Sequence, residues 1–146
     1  MVALANPSNV EAHANLALSL LRSGQVAAAI AEYRQTLTLQ PGWAEAKCDL
    51  ARLLAHPLSG NERNIPEAIT LAEEVCQATK YEHPGAVQSL AMVYSEAGRF
   101  DEAVKLQQRA LELMTGKADD RALAVTKRRI DLYKSHRPFS AVEPMP

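Results

Sequence analysis

Leu16-Ala17-x-x-Leu20-x-x-x-Gly24-x-x-x-x-Ala29-x-x-x-Tyr33-x-x-x-Leu37-x-x-x-Pro41 is the stretch that decides the fold, because it is written more than once. It returns as Leu90-Ala91-x-x-Tyr94-x-x-x-Gly98-x-x-x-x-Ala103, followed by Ala110-Leu111. Between the two lies Leu50-Ala51-x-x-Leu54, completed after a spacer by Ala68, Ala72 and Val75-Cys76. Leu16 to Leu50 is 34 residues, as is Pro7 to Pro41. A period of this length marks a stack of helical hairpins. Such units cannot bury an apolar face alone, so they pile into a curved surface suited to holding other molecules.

Composition fits that reading and closes off other classes. Apolar residues make up 47 % of the 146 and aromatics only 5 %, so the interior must rest on alanine and leucine. Sixteen basic and 17 acidic residues, net −1, are mixed along the chain. Binding a polyphosphate backbone needs clustered positive charge, which is missing, so nucleic acid is not an expected partner. No run approaches the roughly 18–20 apolar residues that span a bilayer, and the residues after Met1 do not form a secretion signal. Direct membrane contact is not expected from this segment either. Cys48 and Cys76 show neither CxxC spacing nor a histidine at metal-ligand distance, and are read as small buried hydrophobes.

Local signals place the elements. Ser8-Asn9-Val10-Glu11 has the form of a capping box, followed by a helix from about 9 to 22 that turns at Gly24. Val26 to Leu39 is its antiparallel mate, stopped by Pro41-Gly42. Trp43 to Ala55 and Ile65 to Thr79 make the second hairpin. His83-Pro84 opens the third, which turns at Gly98 and ends near Met114. A last helix, about Ala118 to Ser135, carries a stripe of Ala122, Thr126, Ile130 and Tyr133. The proline-containing tail after it is expected to be loosely held.

The second hairpin is irregular. Leu16 to Ala29 and Leu90 to Ala103 are both 13 residues, but Leu50 to Ala68 is 18. Five extra residues therefore fall within 56–65, whose composition reads as loop. A tolerated surface insertion and a functional loop are both compatible with that, and Asn64-x-x-Glu67 can cap the next helix.

At these positions the chain resembles the tetratricopeptide repeat (TPR) family, over about residues 8–117. The resemblance rests on Leu16, Ala17, Leu20, Gly24, Ala29, Tyr33, Leu37 and Pro41, and on Leu90, Ala91, Tyr94, Gly98, Ala103, Ala110 and Leu111. It departs at the bulky fourth position, which is His13, Lys47 and Val87, and at Gln107, which replaces an aromatic residue. It implies an all-α, right-handed superhelix of three antiparallel hairpins with a C-terminal capping helix. The divisions are 1–7 as the end of a preceding repeat or a tail, 8–43, 44–83 and 84–117 as repeats, 118–135 as cap and 136–146 as a flexible tail. Leu50 to Pro57, Glu67 to Cys76, Ala97 to Ala103 and Asp131 to Phe139 are similar to the last repeats of large bacterial TPR proteins, some of which carry a membrane domain of glycosyltransferase type. That likeness implies a C-terminal position in a larger parent.

The resemblance also implies where function lies. In this family the first helix of each hairpin lines the concave face, and positions 2, 5, 9 and 13 of a repeat point into it. Those are Glu11, Ala14, Leu18 and Arg22; Glu45, Cys48, Arg52 and His56; Gly85, Gln88, Met92 and Glu96. Small or apolar residues in the middle with charges at the margins suit an extended or helical peptide; filling of the groove by helix 118–135 or by a neighbouring chain is the equal alternative. Family members that clamp a terminal carboxylate use basic and amide side chains where this chain has Ala14, Leu18, Asp49, Gly85 and Ser89, so that mode is excluded.

Catalysis has no support. His13, His56, His83 and His136 fall on separate elements, and there is no HExxH, GxSxG, Walker or GxGxxG motif. Glu73-Glu74 and Asp119-Asp120 are adjacent rather than facing, so they cannot work as an acid/base pair. Lys127-Arg128-Arg129 invites a phosphate or lipid reading, against the favoured account of cations placed near that end of the helix macrodipole. The expectation is a non-catalytic scaffold without cofactor or metal that binds a protein or peptide, with self-association through the first hairpin as a further contact. The alternative is a structural or oligomerising segment of a larger bacterial protein.

Overall fold

The computed structural model describes residues 9–142. Seven α-helices run through them: α1 (Val10–Arg22), α2 (Val26–Leu39), α3 (Ala44–Ala55), α4 (Ile65–Ala78), α5 (Pro84–Glu96), α6 (Phe100–Met114) and α7 (Asp120–Lys134). Two 3₁₀ segments, Pro57–Glu62 and Phe139–Ala141, complete the architecture, and there is no strand among the described residues. Helices pair in sequence as α1/α2, α3/α4 and α5/α6, with α7 packed on α6. The fold is an all-α superhelix of three hairpins and a cap, as expected. No helix of the described residues is long and apolar enough to cross a membrane.

Alanines decide how closely the helices approach. Ala17, Ala51 and Ala91 on the first helices, and Ala29, Ala68 and Ala103 on the second, are completely buried. A methyl at each crossing lets neighbouring backbones come close, and interaxial distance follows the size of the contact side chains. Leucines fill the space beside them: Leu50, Leu53, Leu54 and Leu90 are inaccessible and share one continuous core with Leu132, Tyr133 and Phe139. Truncating any one of these leucines to alanine removes contacts worth about 2–5 kcal/mol.

The two regular turns are copies of each other. Gly24 (φ +79°) and Gly98 (φ +78°) occupy the left-handed region after α1 and α5. The following amides reach back to close the helix, Gln25 N to Leu20 O at 2.8 Å and Arg99 N to Tyr94 O at 2.9 Å. Glycine adopts that conformation without the strain a Cβ brings. Four of the seven helices are capped by a side-chain acceptor: Asn9 for Ala12 N, Asn64 for Glu67 N, His83 for Ala86 N and Asp119 for Ala122 N. The Asn64 reading holds, and its amide also donates to Glu67 Oε2 at 3.2 Å. At α1 the acceptor is Asn9, one residue after the serine that the sequence pattern favoured; Ser8 itself lies outside the described residues. So do Val2 to Pro7, read as the end of a preceding repeat, and Glu143 to Pro146 of the tail.

Two segments differ from expectation. The extra residues of the second hairpin are a 3₁₀ turn rather than open loop. His56 Nδ1 accepts from Leu58 N at 3.1 Å, the Ser59 hydroxyl donates to Leu53 O, and Asn64 N donates to Leu54 O at 2.8 Å. The last two bonds occupy carbonyls that the end of α3 would otherwise leave orphaned. The described part of the tail is not loose either. Phe139 is only 7 % exposed, and its amide donates to Ser95 Oγ at 3.0 Å. Burying an aromatic ring and satisfying two successive amides outweighs the chain entropy that a free tail would keep.

Candidate functional site

The first helices of the three hairpins line two adjoining recesses. The first, ≈ 270 Å³, lies between α1 and α3 and is bordered by Ala14, Leu18, Trp43 and Glu45. The second, ≈ 510 Å³, lies between α3 and α5 and is bordered by Cys48, Arg52, His83 and Ser89. Trp43, Glu45 and Asp49 belong to both, so the two form one continuous groove.

Leu18 at the groove's first end is 41 % exposed, a large apolar side chain without cover. Glu11, Arg22 and Glu45 are exposed as well, while Ala14, Cys48 and Arg52 are half-buried. In the floor Asp49 bonds both Arg52 and the Tyr33 hydroxyl. Burial pushes the Asp49 carboxyl above its ordinary range, against the opposing pull of the Arg52 guanidinium. Tyr33 is raised too, first by burial and then by the Asp49 charge. Cys48 is raised chiefly by burial, so its thiol stays protonated at neutral pH.

Gln88, Met92 and Glu96 belong to a different environment. Gln88 Oε1 accepts from Arg129 of α7 at 2.8 Å and from Gln107 at 3.2 Å. Met92 is 6 % exposed within the apolar core. Glu96, whose side chain is only 5 % exposed, accepts from Ser140 N at 2.6 Å and Ser140 Oγ at 3.0 Å, with Arg63 3.7 Å away. The chain's own C-terminal segment thus covers the third repeat's share of the inner face, and the first two repeats' share stays open. Sequence reasoning proposed all three repeats alike, because the docking partners Ser95–Glu96 and Phe139–Ser140 stand 44 residues apart.

Trp43 is one groove residue that the positional reading missed, with Asp49, His83 and Ser89. It precedes α3 as the N-cap, so it falls outside the four positions counted along the helix. Its signal was its singularity, since the chain has no other tryptophan. The departures from the repeat pattern have local reasons. His13 is buried with Nδ1 2.6 Å from Glu32 Oε2, Lys47 pairs with Glu74 at 3.1 Å, and Gln107 replaces ring packing by its bond to Gln88. No cluster of potential metal ligands forms among the described residues.

Residues 10–42 and 86–115 match two family models, each described as a tetratricopeptide repeat. No curated protein matches the sequence. Among solved structures, the crystal structure of MamA protein aligns with a TM-score of 0.62 at 21 % identity, over 92 % of this chain and 71 % of that one. That likeness concerns the fold. With the three-hairpin architecture, these matches identify the chain as an array of tetratricopeptide repeats, a protein-interaction scaffold.

Proposed function

We propose that the chain is a non-catalytic interaction module that binds a peptide or protein segment along the open groove of its first two repeats. One observation carries this reading. The groove lined by α1, α3 and the start of α5 is uncovered, whereas the equivalent surface at the third repeat is filled by residues 139–140. That filling supports the reading, since it seats an apolar side chain between helices and sets main-chain amides on side-chain acceptors. A partner segment engages repeats one and two in the same manner, with Leu18 and Trp43 as apolar contacts and charged margins fixing register.

The test selects binders from a displayed library of random 12-residue peptides on the immobilised chain, then measures the selected peptides against Leu18→Glu and Arg52→Glu. Both variants keep native helicity and weaken binding at least ten-fold. Undiminished binding by the folded double variant removes the groove from the mechanism.

A further inference from the structure

The open groove is not electrically uniform along its length. In the recess between α3 and α5, the two carboxylates Glu45 and Asp49 are accompanied by Arg52 and His83. In the recess between α1 and α3, three carboxylates, Glu11, Glu45 and Asp49, stand around an apolar floor of Ala14, Leu18 and Trp43, and no basic residue lines it. Asp49 is engaged by Arg52 from the neighbouring recess. Glu11 and Glu45 make no ion pair and no side-chain hydrogen bond among the described residues, so two exposed negative charges flank an indole with nothing to neutralise them.

That combination specifies its complement. An aliphatic stem needs apolar wall, and a cationic head needs carboxylates at the rim and is attracted to an aromatic face. Lysine and arginine side chains supply both in one residue. We propose that the α1–α3 recess receives a lysine or arginine side chain of the bound segment, with its stem against Leu18 and Trp43 and its charge between Glu11 and Glu45. This rests on the groove reading above and adds to it the partner's chemistry and polarity. The segment's basic residue lies over repeat one, and its continuation runs over the recess of repeat two, where Arg52 stands. Complementary charge of this kind fixes register and accelerates encounter.

The test takes a peptide selected from the displayed library and its counterpart with each lysine or arginine replaced by norleucine, and titrates both while following the fluorescence of Trp43. Loss of the charge weakens binding about ten-fold. The Glu11→Gln/Glu45→Gln double variant binds the basic peptide no better than the norleucine one, and still binds the latter as the parent does. Equal affinity of both peptides for the parent, with the same Trp43 response, overturns the cation site and leaves the groove reading standing. Selection of peptides without basic residues does the same. Failure to select any peptide that perturbs Trp43 overturns both.

Discussion

Ser140 donates its backbone N–H and its hydroxyl to the two oxygens of the Glu96 carboxylate, at 2.6 and 3.0 Å. A carboxylate at the C-terminal end of α5 faces the negative pole of that helix, an unfavourable place for it. The two Ser140 donors and Arg63 offset this, and the neighbouring Phe139 anchors the segment by burying its ring beneath the Arg129 guanidinium, 5.2 Å above. The segment is therefore part of the folded unit. Phe139→Ala should lower unfolding free energy in urea by about 3 kcal/mol, and Val142→Ala, at an exposed position, by less than about 0.5 kcal/mol. Equal, small effects would mean that the segment contributes nothing.

The inserted turn depends on Gly60, at φ +55° and ψ −122°. Nothing lies within 4 Å of where its Cβ would stand, so the cost of a side chain there is backbone strain alone. Gly60→Ala should destabilise by about 1–3 kcal/mol. Gly42→Ala has equal space and no positive φ, and should be neutral or slightly stabilising. Thermal melts of the two variants, compared with the parent, decide it.

Burial lowers the affinity of His56 for a proton, and Arg63 adds to this against the opposing pull of Glu96. The folded state therefore takes up that proton at lower pH than the unfolded chain, whose histidine titrates near 6.5. Above that value the contribution of His56 is complete; as pH falls below it, the unfolded state binds the proton first and stability declines. His56→Asn keeps an acceptor for Leu58 N and removes the titration. Urea unfolding between pH 7.5 and 5 should show a shallower decline for the variant, and parallel curves would contradict the assignment.

The cysteines should differ in reactivity. The Cys76 thiol is fully buried, bonds Ala86 O at 3.3 Å and is pushed up to about 12, first by burial. Cys48 borders the groove and is half-buried. At pH 8, iodoacetamide should modify Cys48 slowly and leave Cys76 untouched in the native chain, and modify both in guanidinium. Protection of Cys48 by a groove-bound peptide would follow from the same geometry.

Most of the fold was legible because its punctuation is local. Gly24, Pro41-Gly42, Pro84 and Gly98 end and begin helices within a residue or two of where the structure has them, and alanine spacing marks the crossings. The 13-against-18 spacing located the insertion but not its form, since the 3₁₀ turn is held by carbonyls of α3 that composition does not report. The seating of Phe139 and Ser140 was invisible for the same reason on a longer scale: a proline-containing tail reads as mobile until its acceptors, Ser95 and Glu96, are brought beside it. The repeat register named the groove positions but treated three repeats as equivalent. Which of them stay open depends on what the chain does after α7, a tertiary fact.

The most direct test of the groove is a crystal structure of the chain with a display-selected peptide. The peptide should lie along α1 and α3 in contact with Leu18, Trp43 and Arg52, with Phe139 still seated against Ser95. A peptide bound to the outer helices α2, α4 and α6, with the groove empty, would contradict the account.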